Sequence, residues 1–345
     1  MKGNMESLTA LAQRVEAIEK SKEDFIANTA AMNMADDNTL ELRDAGGYGL
    51  NEVAQNQIVE RMRPKLKGIR KEYWDSMAVI PGLRAYTVNR WLQSTPERRL
   101  VRTLEGNVRA FLSDSFKPWD NVDMLAGLLP VLQRYPIEVR NCSLSERRMY
   151  LQVVFTEIKA EVKVGDWVRA GLTFSNSEVG EGAWDVRAWL EVLRCMNGMV
   201  AESLIRKYHV GRRVEDAEDG IFKSDTIEAD IHAAKLQLRD VVEHSLDKVA
   251  FETKVDRIRE ASTQRIELPV PTIERVTKRF NFSDAEGESI LNNLIKGGDA
   301  TRWGLANAIT ALAHTIQNPD RQYDAEQAGW DVIDLKPGEW KTLTN

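Results

Sequence analysis

Hydrophobic residues recur at helix or strand spacing along most of this chain, and polar stretches separate the periodic segments. Near the N-terminus they recur every three or four residues, at Leu8, Leu11, Val15 and Ile18. This spacing predicts a short amphipathic helix. The stretch that follows is polar and contains glycines, which is typical of irregular chain. We therefore expect residues 1–50 to form an acidic, partly disordered leader that contains one short helix.

A compact core is predicted to begin at Asn51, a residue type that favours the N-cap of a helix. Two strand-like runs, LVRTL and VRAFL, flank the turn signal at residues 105–107 and predict a β-hairpin. A helix is expected from Asn121 to Leu132. Strands are expected at residues 137–144, 149–164 and 168–180, with Val154, Ile158, Val162 and Val164 on one face. For residues 183–200 the apolar pattern favours a strand followed by a helix.

The pattern becomes helical towards the C-terminus. Apolar residues step by threes and fours from Ile227 to Ile258, which predicts one long amphipathic helix. Pro269 and Pro271 indicate a linker, three helical segments follow it, and the tail is polar with Trp330 and Trp340 as candidate anchors. The prediction is an α+β fold with an antiparallel hairpin and sheet core. We expect the α+β core at 51–212, a helical region at 213–317 and a tail at 318–345.

Charge is distributed unevenly along the chain. The net charge is −6, yet residues 61–148 hold 17 Lys and Arg against nine Asp and Glu, a net of +8, so the remainder carries −14. A basic middle between acidic ends is typical of a polyanion-binding core, although chance clustering on a solvated surface gives the same count. No apolar run approaches the ~20 residues that span a bilayer, and the N-terminus lacks a secretory signal. We expect a cytoplasmic protein without membrane partners.

The sequence lacks the motifs that are typical of metal binding and of nucleotide binding. The four histidines lie far apart and no CxxC or HExxH spacing occurs, so no metal site is expected. No phosphate-binding GxxxxGK[ST] loop is present, so no nucleotide cofactor is expected. Basic and aromatic residues are instead interleaved from Arg61 to Trp119. Cations neutralise phosphates and exposed aromatic rings stack on bases, so this pattern favours single-stranded nucleic acid.

Three blocks of the sequence resemble a known family in the same order. They are RAFLSDSFKPWDNVDML, GLTFSNSEVGEGAWDVRAWLEVLRCMNGMV and TRWGLANAITALAH. They are similar to blocks of the phage/plasmid-like protein family, domain of unknown function 932, over residues 51–317. The order of elements is also similar to that of single-strand annealing recombinases. The resemblance implies a bacteriophage or plasmid protein in the host bacterial cytoplasm that anneals DNA strands without ATP.

That resemblance also implies partners and a site. The expected partners are single-stranded DNA, further copies of this chain in a ring or helix, and a host or phage single-strand-binding protein or exonuclease. The expected DNA-binding residues are Lys67, Arg70, Lys71, Arg98, Arg99, Arg102, Arg109, Ser113, Ser115, Lys117, Trp119 and Asn176. The cations among them are expected to be exposed, because long cationic side chains are seldom fully buried. Asp114, Asp120 and Glu178 are expected to shape the turns, with Asp120 or Asn121 capping the following helix. The alternative for Glu178 is an ion pair with an Arg of the hairpin.

Two other functions fit the same sequence. A non-catalytic phage protein that binds a host protein, as a host-takeover or anti-defence factor, would expose a large apolar patch. An enzyme that uses the Ser, Asp and Glu residues would bring Asp114 or Glu178 into a closed pocket. An annealing protein would instead show a contiguous basic groove and a concentration-dependent oligomer.

Overall fold

The computed structural model describes residues 7–43, 45–62, 71–94, 96–116, 118–193, 197–207, 224–245 and 247–345. These residues form two β-sheets with helices packed against them. A sheet-rich N-terminal and central part precedes a helical C-terminal region. The predicted α+β class is therefore confirmed.

The strands of the described residues are β1 (Lys22–Asn28), β2 (Met32–Met34), β3 (Leu40–Leu42), β4 (Gly46–Leu50), β5 (Arg98–Leu104), β6 (Asn107–Ser113), β7 (Ile137–Leu144), β8 (Met149–Lys163), β9 (Asp166–Asn176), β10 (Trp184–Val192) and β11 (Asn197–Lys207). The helices are α1 (Leu8–Ser21), α2 (Glu52–Met62), α3 (Lys71–Val79), α4 (Leu83–Ser94), α5 (Asn121–Leu132), α6 (Ser224–Ser245), α7 (Lys248–Ala261), α8 (Pro269–Arg279), α9 (Asp284–Gly297), α10 (Arg302–Ala313), α11 (Pro319–Asp334) and α12 (Pro337–Thr344).

The predicted hairpin lies inside the first sheet, whose strand order is β1-β5-β6-β4-β3-β2. Its two strands pair antiparallel from Arg99 opposite Ser113 to Leu104 opposite Asn107. The two residues between the strands, Glu105 and Gly106, have φ values of 50° and 78°. Positive φ at both positions is the type I′ geometry that a two-residue hairpin loop requires, and glycine adopts it without a Cβ clash.

Residues 7–43 and 45–50 are more ordered than the sequence predicts. Helix α1 is confirmed, but residues 22–50 form β1 to β4 instead of irregular chain. Met32 and Met34 alternate with an exposed Asn33, and β3 repeats the same buried-exposed-buried pattern. Each of these strands has three residues, which is too short for a period-2 pattern to stand out from the polar residues around it. The predicted N-cap is confirmed, because the Asn51 side chain accepts a hydrogen bond from the Ala54 N–H at 2.9 Å.

The second sheet is an antiparallel meander in the order β11-β10-β9-β8-β7. The predicted helix after residue 192 is wrong, because residues 197–207 form β11 and pair with β10. The set of residues predicted to share one face of β8 is also wrong at the C-terminal end of the strand. Val164 is 100% exposed because β8 stops at Lys163 and the chain turns there. Both faces of the second sheet are covered. Val153 and Phe155, which flank Val154 in β8 and lie on the opposite face of the sheet, are therefore buried as well.

The predicted long helix is two helices, α6 and α7. Asp247 begins the second one, and its side chain accepts a hydrogen bond from the Val249 N–H. Pro269 and Pro271 do not form a linker but lie in the first turn of α8, where proline has no hydrogen bond to lose.

The polar C-terminal stretch is helical rather than a loose tail. It forms α11 and α12, and the indole rings of Trp330 and Trp340 are buried in the core. The expectation that these two residues act as anchors is therefore confirmed.

Two main hydrophobic cores organise the described residues. One core packs α2, α3 and α4 on the first sheet, and these elements are called the first lobe. The other joins α1, α5, the second sheet and the C-terminal helices, which are called the second lobe. A small cluster of Val53, Leu100, Ala110, Leu112 and Val179 lies where the two lobes meet. The loop between β6 and α5 crosses this junction.

Candidate functional site at the junction of the two lobes

The junction is built from the hairpin of the first lobe and two loops of the second. One loop leads from β6 to α5, and the other, residues 177–183, leads from β9 to β10. Gln57 of α2 joins these parts through both ends of its side-chain amide. Its Nε2 donates to the carbonyl oxygen of Val179 at 2.7 Å, and its Oε1 accepts from the Phe111 N–H at 2.7 Å.

Arg102 is the central cation of the junction and is 0% exposed. Its Nε donates to Asp24 at 2.9 Å, and its guanidinium also binds Asp120 and the carbonyl oxygen of Glu178. Lys22 forms an ion pair with the same Asp120 carboxylate. Burial alone lowers the pKa of Arg102, but the carboxylates of Asp24 and Asp120 outweigh it and hold the pKa above its ordinary value.

The second buried pair is Arg109 with Glu178. Arg109 NH1 donates to Glu178 Oε2 at 2.6 Å, and Glu178 Oε1 accepts from the backbone N–H of Asn121 at 2.7 Å. The two residues are 7% and 6% exposed. Within the described part of the chain, Nε and NH2 of Arg109 have no hydrogen-bond partner. One carboxylate therefore bridges the hairpin and the first turn of α5, and part of the guanidinium is left unsatisfied.

Polar contacts also order the loop before α5. The Asn176 amide donates to the carbonyl oxygen of Trp119 at 2.8 Å and to Asn121 Oδ1 at 2.9 Å. The Trp119 ring meets Trp184 edge to face, with centroids 5.5 Å apart. This contact is a packing geometry that aromatic pairs prefer. Trp119 thus holds the loop on the second sheet.

The serines after β6 bind each other and a nearby acid. The hydroxyl oxygens of Ser113 and Ser115 are 2.8 Å apart, and the Ser113 hydroxyl lies 3.4 Å from an Asp114 carboxylate oxygen. Asp114 therefore interacts within its own turn, in the shaping role that the sequence predicts. Asp120 stands at the N-cap position of α5, but its side chain makes no capping bond and pairs with Arg102 and Lys22 instead.

Nine of the twelve predicted DNA-binding residues fall into three groups: those outside the described residues, those exposed and those buried. The other three, Ser113, Ser115 and Trp119, are partly buried at the end of β6 and in the loop after it. Lys67, Arg70 and Lys117 lie outside the described residues, as does the side chain of Lys71. Arg98 is exposed. The expectation of exposed cations is wrong for Arg99, Arg102 and Arg109, which are buried beside Glu97, Asp24 and Glu178 respectively. Asn176 is also buried, so it stabilises the loop rather than offering its amide to a ligand.

A cleft of about 200 Å³ opens beside this network. Three arginines line it: Arg109 on the hairpin, and Arg147 and Arg148 in the turn between β7 and β8. Arg147 is exposed, and Arg148 donates from Nε to the carbonyl oxygen of Glu181 at 2.9 Å. The Ser177 hydroxyl donates to the carbonyl oxygen of Arg147 at 2.7 Å and holds the two walls together.

The rest of the cleft lining is mixed, with four apolar residues (Ile18, Leu104, Leu144 and Val179) beside polar groups whose charges balance the arginines. It includes three side-chain amides, Asn51, Asn107 and Asn121, and three carboxylates, Glu105, Glu146 and Glu178. Guanidinium and amide N–H groups are donors for anionic oxygens. The cleft can therefore hold an anion by hydrogen bonds, although its net charge is close to neutral.

Asp114 and Glu178 are the two carboxylates of which an enzyme was expected to bring one into a closed pocket. Glu178 lines the cleft, but Asp114 does not. Among the residues that the structure describes, no group of three or more His, Cys, Asp or Glu side chains could hold a metal ion.

Sequence reasoning missed Lys22, Asp24, Arg147 and Arg148. The first two were assigned to the leader. The two arginines stand in the polar turn LSERRM between two strands, and paired arginines in a strand turn were a signal that could have included them.

Comparison with known proteins identified no matching family model, no related curated protein and no similar solved structure. In the described parts of the chain, no helix is long and apolar enough to cross a membrane.

Proposed function

We propose that this protein binds single-stranded DNA by its phosphates at the cleft between the two lobes and promotes annealing of complementary strands without a nucleotide cofactor. The observation that carries the proposal is the cleft itself, which places Arg109, Arg147 and Arg148 around one opening next to the β5–β6 hairpin. Arginine presents a fork of N–H donors that matches phosphate oxygens. The setting in a phage or plasmid and the assembly into oligomers rest on the family resemblance.

The lining of the cleft favours phosphate contacts over base recognition. Its donors are guanidinium groups and side-chain amides, and among the described residues its lining includes no aromatic ring on which a base could stack. Phosphate contacts position a strand without reading its sequence. Annealing needs this arrangement, because the base edges must stay available to a complementary strand.

The proposal is tested by fluorescence anisotropy of a labelled single-stranded oligonucleotide at several salt concentrations. We expect the logarithm of the association constant to fall linearly with log salt. Arg147→Ala should weaken binding and reduce the magnitude of the slope by about 0.7, the value for one lost contact to single-stranded phosphate. Arg147 is the best probe because it is exposed, so its removal leaves the buried ion pairs intact.

Arg134→Ala is the matched control. Arg134 is also exposed but follows the C-terminal end of α5 and does not line the cleft. It should leave affinity and salt slope unchanged. Equal losses in both variants would show that net charge, not the cleft, controls binding. No binding at low salt would refute the proposal.

A second function is favoured by a separate observation. Tyr73, Val79, Ile80 and Tyr86 on and between α3 and α4 are all more than half exposed. Exposed large apolar side chains are typical of protein interaction sites. We propose, as the alternative, that this α3–α4 surface binds a host protein.

The alternative is tested by the paired substitutions Val79→Ser and Ile80→Ser. They should abolish binding to a host protein that the unaltered chain retains, with oligonucleotide affinity unchanged. Unchanged retention of that protein would refute the alternative.

A further inference from the structure

We propose that the Glu178 carboxylate occupies a phosphate position in the cleft, and that the terminal phosphate of a DNA strand displaces it. This inference rests on the proposed function and adds a specificity: the inner end of the cleft selects a strand end that carries a phosphate monoester over an internal phosphodiester.

The first observation is that Glu178 is bound by two donors that suit a phosphate. They are Arg109 NH1 at 2.6 Å and the Asn121 backbone N–H at 2.7 Å. Asn121 is the first residue of the twelve-residue helix α5. The N-terminus of a helix carries partial positive charge and unpaired N–H groups, which bind phosphate as readily as carboxylate.

The second observation is independent of the helix. Arg109 is more than nine-tenths buried and lines the cleft, yet only NH1 of its three guanidinium nitrogens binds an acceptor in the described residues. A carboxylate offers two oxygens, and here one of them is taken by the helix N-terminus. A phosphate monoester has three terminal oxygens, so it can satisfy the same two donors and one more nitrogen of Arg109.

The Glu178 side chain can leave while its loop stays in place. The Glu178 carbonyl oxygen accepts from Arg102 NH1 at 2.8 Å, and the next carbonyl oxygen, of Val179, accepts from Gln57. These two bonds hold the backbone that follows the side chain, and the Ser177 hydroxyl, which donates to the carbonyl oxygen of Arg147, anchors the residue before it. The displaced carboxylate remains in a cleft lined by Arg147 and Arg148, which offer it alternative cationic partners.

The charge of the ligand decides whether displacement is favourable. A phosphodiester carries one negative charge, as Glu178 does, and it lacks the advantage of being tethered to the protein. A terminal monoester approaches two negative charges at pH 7, since its second pKa is about 6. Exchange of Glu178 for a monoester therefore adds negative charge beside Arg109, whereas exchange for a diester adds none.

The test compares oligonucleotides of one sequence that carry a 5′-phosphate, a 3′-phosphate or no terminal phosphate, in the same anisotropy assay. For the unaltered protein, we expect at least one phosphorylated strand to bind about tenfold tighter than the unphosphorylated strand. In Glu178→Gln the unphosphorylated strand should bind tighter, and the preference for the phosphorylated end should shrink, because no competing charge remains.

Glu105→Gln is the matched control, because it removes one negative charge from the same cleft without touching Arg109 in the network described above. It should leave the preference for phosphorylated ends unchanged. Equal affinity for all three strands in the unaltered protein, or the same preference in Glu178→Gln as in the unaltered protein, would overturn the inference while leaving the proposed function intact. Failure of every strand to bind every protein would instead remove the proposed function.

Glu178→Gln leaves Arg109 without its ion pair, so thermal unfolding provides a second readout. Inorganic phosphate at pH 7.5 should raise the melting temperature of Glu178→Gln more than that of the unaltered protein, since it replaces the missing anion. Chloride at equal ionic strength should not. The double variant Arg109→Met with Glu178→Gln lacks both charges and should not respond to phosphate. A response of this double variant equal to that of Glu178→Gln would contradict an anion site at Arg109.

Discussion

Glu326 provides a direct test of the second lobe, because it is an acid buried between α11 and the second sheet. It is 5% exposed, and its Oε2 accepts from the Gln152 amide at 2.5 Å. Burial raises the pKa of Glu326 from 4.5 to about 8, and the hydrogen bond from Gln152 lowers it only in part. The folded protein therefore keeps this carboxyl protonated at neutral pH.

The sign of the effect on stability follows from proton binding. Between pH 4.5 and about pH 8 the folded state holds a proton at Glu326 that the unfolded state has lost. The free energy of unfolding therefore falls as the pH rises through this window, and the contribution levels off above pH 8. A shift from 4.5 to about 8 corresponds to a loss of up to about 5 kcal/mol, at 1.36 kcal/mol per pH unit. Relaxation of the site and water entry reduce this value.

Glu326→Gln replaces the protonated acid with a neutral side chain of the same shape. We expect similar stability for both proteins at pH 5, and at pH 9 a free energy of unfolding at least about 2 kcal/mol higher for the variant. Urea unfolding followed by tryptophan fluorescence at pH 5, 7, 8 and 9 measures this difference. Glu288→Gln, at an exposed position of α9, is the control and should leave the pH profile unchanged. A constant difference between Glu326→Gln and the unaltered protein at all pH values would refute the reasoning.

Three further substitutions test the junction and the second sheet by urea unfolding. Arg102→Met should cost about 3–5 kcal/mol because it removes a buried cation from the buried Asp120 carboxylate, which keeps only Lys22, and from the more exposed Asp24, and a loss as small as that of the exposed control Arg90→Met would contradict the buried network. Trp119→Ala should cost about 2–3 kcal/mol through the lost packing on Trp184. The oligonucleotide affinity of Trp119→Ala should be unchanged. Weaker oligonucleotide binding with unchanged stability would instead support base stacking on Trp119. Gly171→Ala should cost about 2–3 kcal/mol because a Cβ would overlap the Val153 carbonyl oxygen and lie 2.8 Å from the Trp189 ring. An unchanged stability would show that β8 and β9 are less tightly paired than the structure indicates.

Elements with a strong local signal were predictable from the sequence. The β5–β6 hairpin has two strand-like runs that flank a turn with a Gly, and α5 extends from Asn121 to Leu132 as predicted. Short strands and ambiguous apolar runs were not predictable in the same way. β2 and β3 have three residues each, and β11 is apolar enough to fit a buried helix or a buried strand. The decision in such cases depends on the neighbour with which the segment pairs.

The candidate site was predicted in part. Arg109, Asp120 and Glu178 were among the site residues predicted from the sequence, and they lie at one junction in the structure. The DNA-binding role of Arg109 was predicted from the rule that long cations stay exposed, and this rule does not hold where a carboxylate is available to pair with the cation. Arg147, which is exposed and lines the cleft, was missed because it lies in a different hairpin.

The sequence by itself determined the α+β class, the order of most elements and the turn chemistry at Glu105-Gly106, because these depend on periodicity and on backbone preferences of neighbouring residues. Only the tertiary structure decided whether the arginines of the hairpin face solvent or protein. The carboxylates that pair with Arg102 lie 78 residues before it, at Asp24, and 18 residues after it, at Asp120. Glu178, which pairs with Arg109, lies 69 residues after it. Pairing of this kind depends on how two lobes pack, and no local pattern encodes it.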